Sequence, residues 1–303
     1  MNITPEERKR LKGQGILSNR DEEHFSARII TENGVLNARQ MINLGEAADR
    51  YGNGNVAFTA RMTLEIQGIT YENIEKLQDH IQKEGMVTGG TGNKVRPVVA
   101  CKGTVCVYGL LDTQGLAKAI HHRFYEGYRN VTLPHKFKIA VGGCPNNCVK
   151  PDLNDLGIMG QRVPAYENQL CRGCKKCNIE DTCPMGAAKI ADGILTIDPK
   201  LCNNCGLCIG KCHFKAIPGG MAGCKIYVGG RWGKKTRPGN LLSRVYTPEE
   251  ALDMVEKAIL YYKEQGQPGE RFGAMIDRLG IDAVEKALEG DALLQRKTAI
   301  LEG

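Results

Sequence analysis

The hydrophobic and polar positions fall into regular patterns from residue 24 onward. HFSARIIT (24–31) carries the β-branched and aromatic residues of a strand. From Asn37 to Arg50 apolar residues recur at helical spacing, and the turn-like YGNGN ends the run. Asn55 to Ile66 alternates as one strand or a bent pair. TYENIEKLQDHIQKEG (70–85) predicts an amphipathic helix opening at Thr70 and closing at Gly85. This β-α-β-α order points to an α/β or α+β half-domain.

VTGGTGNK (87–94) is a glycine-rich connection. It lacks the Gly-Lys-Ser/Thr ending of a phosphate loop, and no buried strand leads into it. Residues 95–165 alternate strands with a helix over Thr113 to Glu126. HKFKIAV (135–141) predicts a strand running into GGCPNNC, and period two puts Lys136 and Lys138 on one face. Residues 166–218 lose periodicity and become Cys-rich. A strand returns at CKIYVGG, and a long helix starts at TPEE. There Thr247 is the N-cap, Pro248 the first helical residue and Glu250 the partner in a capping box. Residues 269–290 read as two short helices. The pattern is an α/β core with a small module inserted.

Composition narrows the class. The 303 residues are 42% hydrophobic and 25% charged, as in soluble globular proteins with one large or two modest domains. No stretch approaches the roughly 18 uncharged apolar residues of a membrane span. MNITPEERKRLKGQGILSNR has no apolar signal region, so a cytoplasmic protein is expected. The net charge is +7, but Lys and Arg are dispersed and aromatics are only 6%, which argues against nucleic-acid binding.

Thirteen cysteines carry the chemistry. In a long chain without a secretory signal, short regular spacings point to metal or iron–sulfur ligation rather than disulfides. Cys171, Cys174 and Cys177 recur as Cys202, Cys205 and Cys208, and a fourth cysteine follows each triplet, at Cys183 and Cys212. Thiolates two residues apart can reach three corners of one cubane, and the fourth corner needs a distant residue. In two-cluster ferredoxins the fourth cysteine of each run serves the other cluster. The expected sets are Cys171, Cys174, Cys177, Cys212 and Cys202, Cys205, Cys208, Cys183. Pro184 fits this pattern, whereas His213 stands where a second proline is usual. Zinc is the alternative for isolated C-x2-C pairs. Residues 166–218 resemble a bacterial-type ferredoxin with two [4Fe–4S] clusters.

Cys101, Cys106, Cys144 and Cys148 form a C-x4-C and a C-x3-C pair, which suggests one more metal site, with zinc or disulfides as alternatives. Three cubanes at about −2 each would offset most of the formal charge. Cys224 stands apart as a buried apolar thiol.

The flanking residues carry a wider likeness. CKGTVCVYGL and LPHKFKIAVGGCPNNC resemble the cluster-binding region of the nitrite and sulfite reductase family. TARMTLEIQGI (59–69), VRPVVACKG (95–103), KIYVGGRWGKK and the late ERFG extend it. A dicluster ferredoxin inserted after the C-x3-C pair is most similar to the anaerobic sulfite reductase C subunit and dissimilatory-type proteins. The resemblance implies an α+β fold. Residues 1–86 would form a ferredoxin-like half-domain, 87–165 with 219–303 a siroheme- and [4Fe–4S]-binding domain, and 166–218 the inserted ferredoxin domain.

The resemblance also implies roles. Cys101, Cys106, Cys144 and Cys148 would hold a third [4Fe–4S] cluster, and Cys148 would bridge it to a siroheme iron. Arg28, Arg96, Lys136 and Lys138 would bind the oxyanion substrate. Arg61 would meet a siroheme carboxylate, and Lys94 would lie along the macrocycle edge. The implied activity is six-electron reduction of sulfite to sulfide, with electrons from a ferredoxin or reductase subunit. A nitrite reductase of the same architecture and an electron-transfer subunit without siroheme are the alternatives.

The family's reductases repeat a half-unit that this chain carries once, so a homo-oligomer is expected. Three features depart from the family: C-x4-C replaces C-x5-C, IITENG follows Arg28 instead of a Pro-Gly-Gly turn, and Met62 replaces a glutamine. His121 and His122 read as surface residues of a helix, and Trp232 as core or cofactor-packing.

Overall fold

The computed structural model describes residues 3–303. The first unit comprises α1 (Pro5–Gly13), β1 (Ile16–Ser18), β2 (Phe25–Ile29), α2 (Ala38–Tyr51), β3 (Val56–Phe58), β4 (Leu64–Ile69) and α3 (Ile74–Gln82). Its antiparallel sheet has the order β1-β2-β4-β3. The segment 55–66 resolves as the bent pair, with Met62 at φ 58° in the turn between β3 and β4. Asn37 and Gln40 form a reciprocal capping box that starts α2. Thr70 makes no side-chain cap. A 3₁₀ turn at 71–73 satisfies the first N–H groups instead, and α3 starts at Ile74. Phe25, Ala27 and Ile29 of β2 pack with Leu64 and Ile66 of β4 under Leu44, Ala47, Leu77 and Ile81 of the helices.

The second unit begins with β5 (Val99–Ala100), α4 (Thr113–Ile120), β6 (Ile139–Gly142) and β7 (Leu156–Ala165). The Cys-rich segment follows, with α5 (Asn178–Thr182), β8 (Ala188–Ala191) and β9 (Ile194–Ile197). The chain then returns as β10 (Gly219–Val228), β11 (Asn240–Leu241), α6 (Pro248–Gln265), α7 (Phe272–Leu279), α8 (Ile281–Glu289), α9 (Ala292–Gln295) and α10 (Lys297–Glu302). The central sheet has the order β11-β10-β7-β6-β5. β5, β6 and β7 run parallel, and β10 pairs antiparallel with β7 and β11. α6 opens with the Thr247–Glu250 capping box. The helix expected over 113–126 is α4 continued by a π turn at 121–126.

The strand expected at 135–141 starts only at Ile139. Phe137 bridges Val95, but the Lys138 N–H turns to the Asp155 carboxylate at 2.9 Å, which interrupts the ladder. The alternation survives. Phe137 faces inward against Tyr262 and Phe272, with ring centroids 5.8 and 5.3 Å away. Lys136 and Lys138 face the other way.

β7 and β10 pair over ten residues, from Leu156↔Val228 to Ala165↔Gly219. The Cys-rich segment therefore leaves and rejoins the sheet at one point. Its own small core holds Ile179, Ala188, Leu195 and Ile217.

Glu256 of α6 is 1% exposed and ties three elements together. Its carboxylate accepts from Tyr128 Oη at 2.5 Å and from Arg123, and it pairs with Lys297 Nζ at 2.6 Å. Burial pushes this carboxyl up, but Lys297, Tyr128 and Arg123 outweigh it and hold it below its ordinary value. A depressed carboxyl stabilises the fold above its unfolded value and loses that contribution as pH falls. Glu256→Gln should therefore cost about 2 kcal/mol near neutrality, with the deficit shrinking below the ordinary carboxylate range. Urea denaturation of both proteins across pH checks this, and a pH-independent difference contradicts it.

Candidate functional site

A cavity of about 300 Å³ lies where the two units meet. Arg28, Arg61, Arg96, Lys136 and Lys138 line it, with Thr59, Thr63, Gly90 and Pro97. Each cation arrives from a different constraint. Arg28 stands on β2 and donates to Glu65 Oε1 of β4 at 2.7 and 3.0 Å. Arg61 sits in the β3–β4 turn and clamps the units together. It donates to Asn154 Oδ1 at 2.9 Å, Pro97 O at 2.6 Å and Ile139 O at 3.1 Å. Arg96 donates to the Gly90 carbonyl, which fixes the glycine-rich loop against the cavity. Lys136 and Lys138 project from the segment that Phe137 anchors.

Burial, and after it crowding of like charge, depresses Arg61, Arg96, Lys136 and Lys138. Burial brings Arg61 down to about 10, opposed by Asp155. Burial and then Arg28 bring Arg96 to about 10. Lys136 falls through burial, Arg271 and Arg96. Lys138 falls to about 8 through burial, then Arg61, Lys136 and Arg271. The Nε atoms of Arg61 and Arg96 are buried without an acceptor. An anion in the cavity would relieve both the repulsion and the unmet donors.

Behind the lysines lies a pair that the sequence pattern did not reveal. Asp155 is fully buried, and both of its oxygens accept from Arg271 Nη2 at 2.9 Å. Burial pushes Asp155 up, and Arg271 pulls it back. Arg271 belongs to ERFG, but only the fold shows that it meets Asp155, 116 residues away.

The quartet occupies the other end of the same strands. Cys101 follows β5 and Cys144 follows β6, whereas Arg96, Pro97 and Lys138 precede those strands. β6 and the bend at Gly143 lie between Lys138 and Cys144. No cysteine lines the cation cavity. The structure thus groups the cations and groups the cysteines, but does not bring the two groups together within one chain. Cys101 Sγ accepts from the Gly143 N–H at 3.1 Å. Burial pushes the Cys144 thiol up, the Asn146 N–H lowers it, and nearby Cys148, Cys101 and Cys106 raise it again. Cys148 is exposed, as are Val105, Val107 and Tyr108 beside Cys106. Among the described residues, no three His, Cys, Asp or Glu side chains converge tightly enough for a single ion. Ligands to separate irons of a cubane stand wider apart than ligands to one metal.

In the Cys-rich segment, Cys183 lines one small cavity with Cys202, Cys205 and Cys208. Burial pushes Cys208 up to about 11, and Cys202, Cys205 and Cys183 add to it. Tyr166 is pushed up to about 12 by burial, then by Cys171, with Cys177 and Cys212 also contributing. Cys183 thus shares a cavity with the second triplet, and Cys171, Cys177 and Cys212 pack with Tyr166 on the segment's small core. The Leu195 N–H donates to Cys171 Sγ at 3.3 Å.

Other residues sit elsewhere. Lys94 Nζ donates to the Arg129 carbonyl at 2.7 Å and does not line the cation cavity. His121 is buried, not a surface residue, because it follows Thr113 and Ala117 at helical spacing on the inward face of α4, and it lines a cleft of about 530 Å³. His122 stays accessible and bonds Glu126 at 2.6 Å. Trp232 is exposed. Cys224 is buried in β10, and its thiol donates to the Tyr246 carbonyl at 3.5 Å. No helix among the described residues is long and apolar enough to cross a membrane.

Comparison with known proteins agrees with this layout. The nitrite and sulphite reductase 4Fe-4S domain matches residues 91–295, and the nitrite/sulfite reductase ferredoxin-like half domain matches residues 18–84. A coenzyme F420-dependent sulfite reductase of Methanocaldococcus jannaschii is 30% identical over 238 residues, covering 78% of this chain but 37% of that protein. An uncharacterized protein of the same organism is 29% identical over 265 residues, covering 85% of this chain and 88% of that one. The crystal structure of dissimilatory sulfite reductase I aligns with TM-score 0.70 at 20% identity, over 89% of this chain and 70% of that chain. One family domain spans more than half of the sequence, a second covers most of what precedes it, and the chain belongs to the nitrite and sulphite reductase family.

Proposed function

We propose that the protein is a siroheme- and [4Fe–4S]-dependent reductase that takes sulfite to sulfide. The observation that carries this reading is the cavity with five cations and two buried, unmet guanidinium donors. Sulfite and the carboxylates of a siroheme are both anions that such a wall suits. Siroheme coupled to a cubane would supply a delocalised redox centre that passes a donor's electrons to the substrate. Cys101, Cys106, Cys144 and Cys148 would hold that cubane, and Cys148 would bridge to the siroheme. Cys171, Cys174, Cys177, Cys212 and Cys202, Cys205, Cys208, Cys183 would hold two more.

The chain's own residues have separable tasks. Arg28 and Arg96 present fixed charge to the substrate oxygens. Arg61 spends most of its donors on the protein, so its Nε is what remains for a macrocycle carboxylate. Lys138, at about 8, holds the anion while protonated and can release a proton near neutrality. Lys136 adds charge from the same face. Nitrite would fit the same cavity, and sulfite is preferred because sulfite reductases figure among the relatives.

The cavity and the quartet lie toward opposite ends of β5 and β6. We propose that the cavity of one copy faces the quartet of a second copy, with the macrocycle between them. Exposed Cys148, Val105, Val107 and Tyr108 are the surface that this arrangement would cover.

The first test is anaerobic purification from a siroheme-competent host, followed by acid–acetone extraction and iron analysis. Extractable siroheme with about twelve irons per chain is expected. A brown protein without tetrapyrrole would leave only the electron-transfer alternative. Lys138→Ala should lower turnover roughly a hundredfold with unchanged cluster spectra. Sulfite affinity should fall as pH rises through about 8, where Lys138 loses its charge, and Lys138→Arg should move that fall upward. A pH profile identical in wild type and Lys138→Arg contradicts the assignment. Mixing Lys136→Ala/Lys138→Ala protein with Cys148→Ser protein, after dissociation and reassociation, should restore part of the activity lost in each. No recovery would place the whole centre within one chain.

A further inference from the structure

β7 works as a ruler between the cysteine groups. At Gly160 the strand touches the Gly143 carbonyl, next to Cys144, so closely that a Cβ there would lie 2.4 Å from it. Two residues on, the Arg162 N–H donates to Asn204 O at 2.8 Å, and the Arg162 side chain packs on Gly206. These residues flank Cys205. Pro164 then lines the small cavity with Cys183, Cys202, Cys205 and Cys208. Tyr166, just past the strand, packs on the same small core as Cys171, Cys177 and Cys212, and its hydroxyl donates to Leu195 O at 2.6 Å. At about 3.3 Å per residue, the Cys202 group stands between the quartet and the Cys171 group, and the Cys171 group is outermost.

Charge divides the two groups in the same direction. The inner loop, Cys202-Asn-Asn-Cys-Gly-Leu-Cys208, has no charged residue. The outer loop carries Arg172, Lys175 and Lys176 between its cysteines, and Lys211 and Lys215 flank Cys212. All five cations are exposed, and none joins an ion pair among the described residues. The nearest acids in sequence are Glu167, four residues before Cys171, and Glu180 and Asp181, which lie on α5 toward Cys183. Phe214 adds an exposed aromatic ring beside His213.

We propose that this outer face is the docking site of an acidic iron–sulfur electron carrier, so that electrons arrive at the Cys171 end. The inference rests on the reading of the Cys-rich segment as a two-cluster ferredoxin. Docking opposes five positive charges to carboxylates around the carrier's own cluster, which steers the encounter and brings the two clusters edge to edge. The carrier is oxidised by one electron, and the outer centre is reduced by one. No bond changes and no proton moves.

The test uses the full chain with its clusters loaded, checked by iron content and visible absorption, and an acidic bacterial-type two-[4Fe–4S] ferredoxin as probe. Binding is measured anaerobically by microscale thermophoresis at low and high salt. Lys175→Glu/Lys176→Glu should weaken the Kd at least tenfold at low salt and flatten its salt dependence, with cluster absorption and deazaflavin photoreduction unchanged. Lys211→Glu/Lys215→Glu, outside the triplet loop, should act in the same direction, which covers the case where the first variant loses its cluster. Lys9→Glu/Lys286→Glu changes net charge equally at remote exposed positions and should stay within twofold of wild type. Equal loss in the remote variant, or an unchanged Kd in both outer-face variants, overturns the docking face. A protein without clusters in the segment instead overturns the reading beneath it, so the two failures are distinguishable.

Discussion

The structure depends most on the antiparallel ladder between β7 and β10. Ten consecutive residue pairs fix the register of both strands. A slip of one residue would turn Ile158 and Ile226 out of the core. The same ladder holds β6 through its parallel pairing with β7, and β6 joins the lysine segment to Cys144. Its far end carries the inserted segment by two adjacent residues, Ala165 and Gly219. One backbone interaction therefore sets the position of every cysteine group. An insertion tethered at one point would swing freely, but Arg162 and Gly206 pin it along the strand.

The polar interior follows from a second constraint. Concentrating positive charge at the cavity is unfavourable without an anion, and the protein offsets part of that cost with buried acids. Glu65 faces Arg28, and Asp155 pairs with Arg271 behind Lys138. Asp155 also accepts the Lys138 N–H, so one carboxylate both holds the lysine's backbone and moderates its field. The Nε donors of Arg61 and Arg96 remain buried without a partner. A cavity with every cation neutralised would be more stable and would bind nothing.

Local patterns were legible wherever local chemistry decides the structure. The capping box at Thr247, the bent pair after Asn55 and the alternation Lys136–Phe137–Lys138 are each written within a few residues. The cysteine spacing put Cys183 with the 202–208 triplet, and the fold gathers those four at one cavity. Long-range partners were not legible. Nothing near Asp155 in sequence announces Arg271, and Lys94 differs from Lys136 only in where the fold sends it. His121 lies on the face of α4 that Thr113 and Ala117 share, so helical spacing alone carries its ring into the interior, while its polar side chain suggested the surface.

Period two placed the lysines on one face, but it said nothing about which end of the sheet that face meets. Parallel strands have distinct ends. Here the N-terminal ends gather cations and the C-terminal ends gather thiols that a cluster would make anionic. A chain built this way carries both halves of an electrostatic contact on one rigid sheet, too far apart to satisfy each other. A two-fold partner satisfies both at once, because an isologous contact repeats each complementary pairing. The proposed centre between copies is thus the arrangement in which the unmet donors of Arg61 and Arg96 and the exposed Cys148 find partners at the same interface.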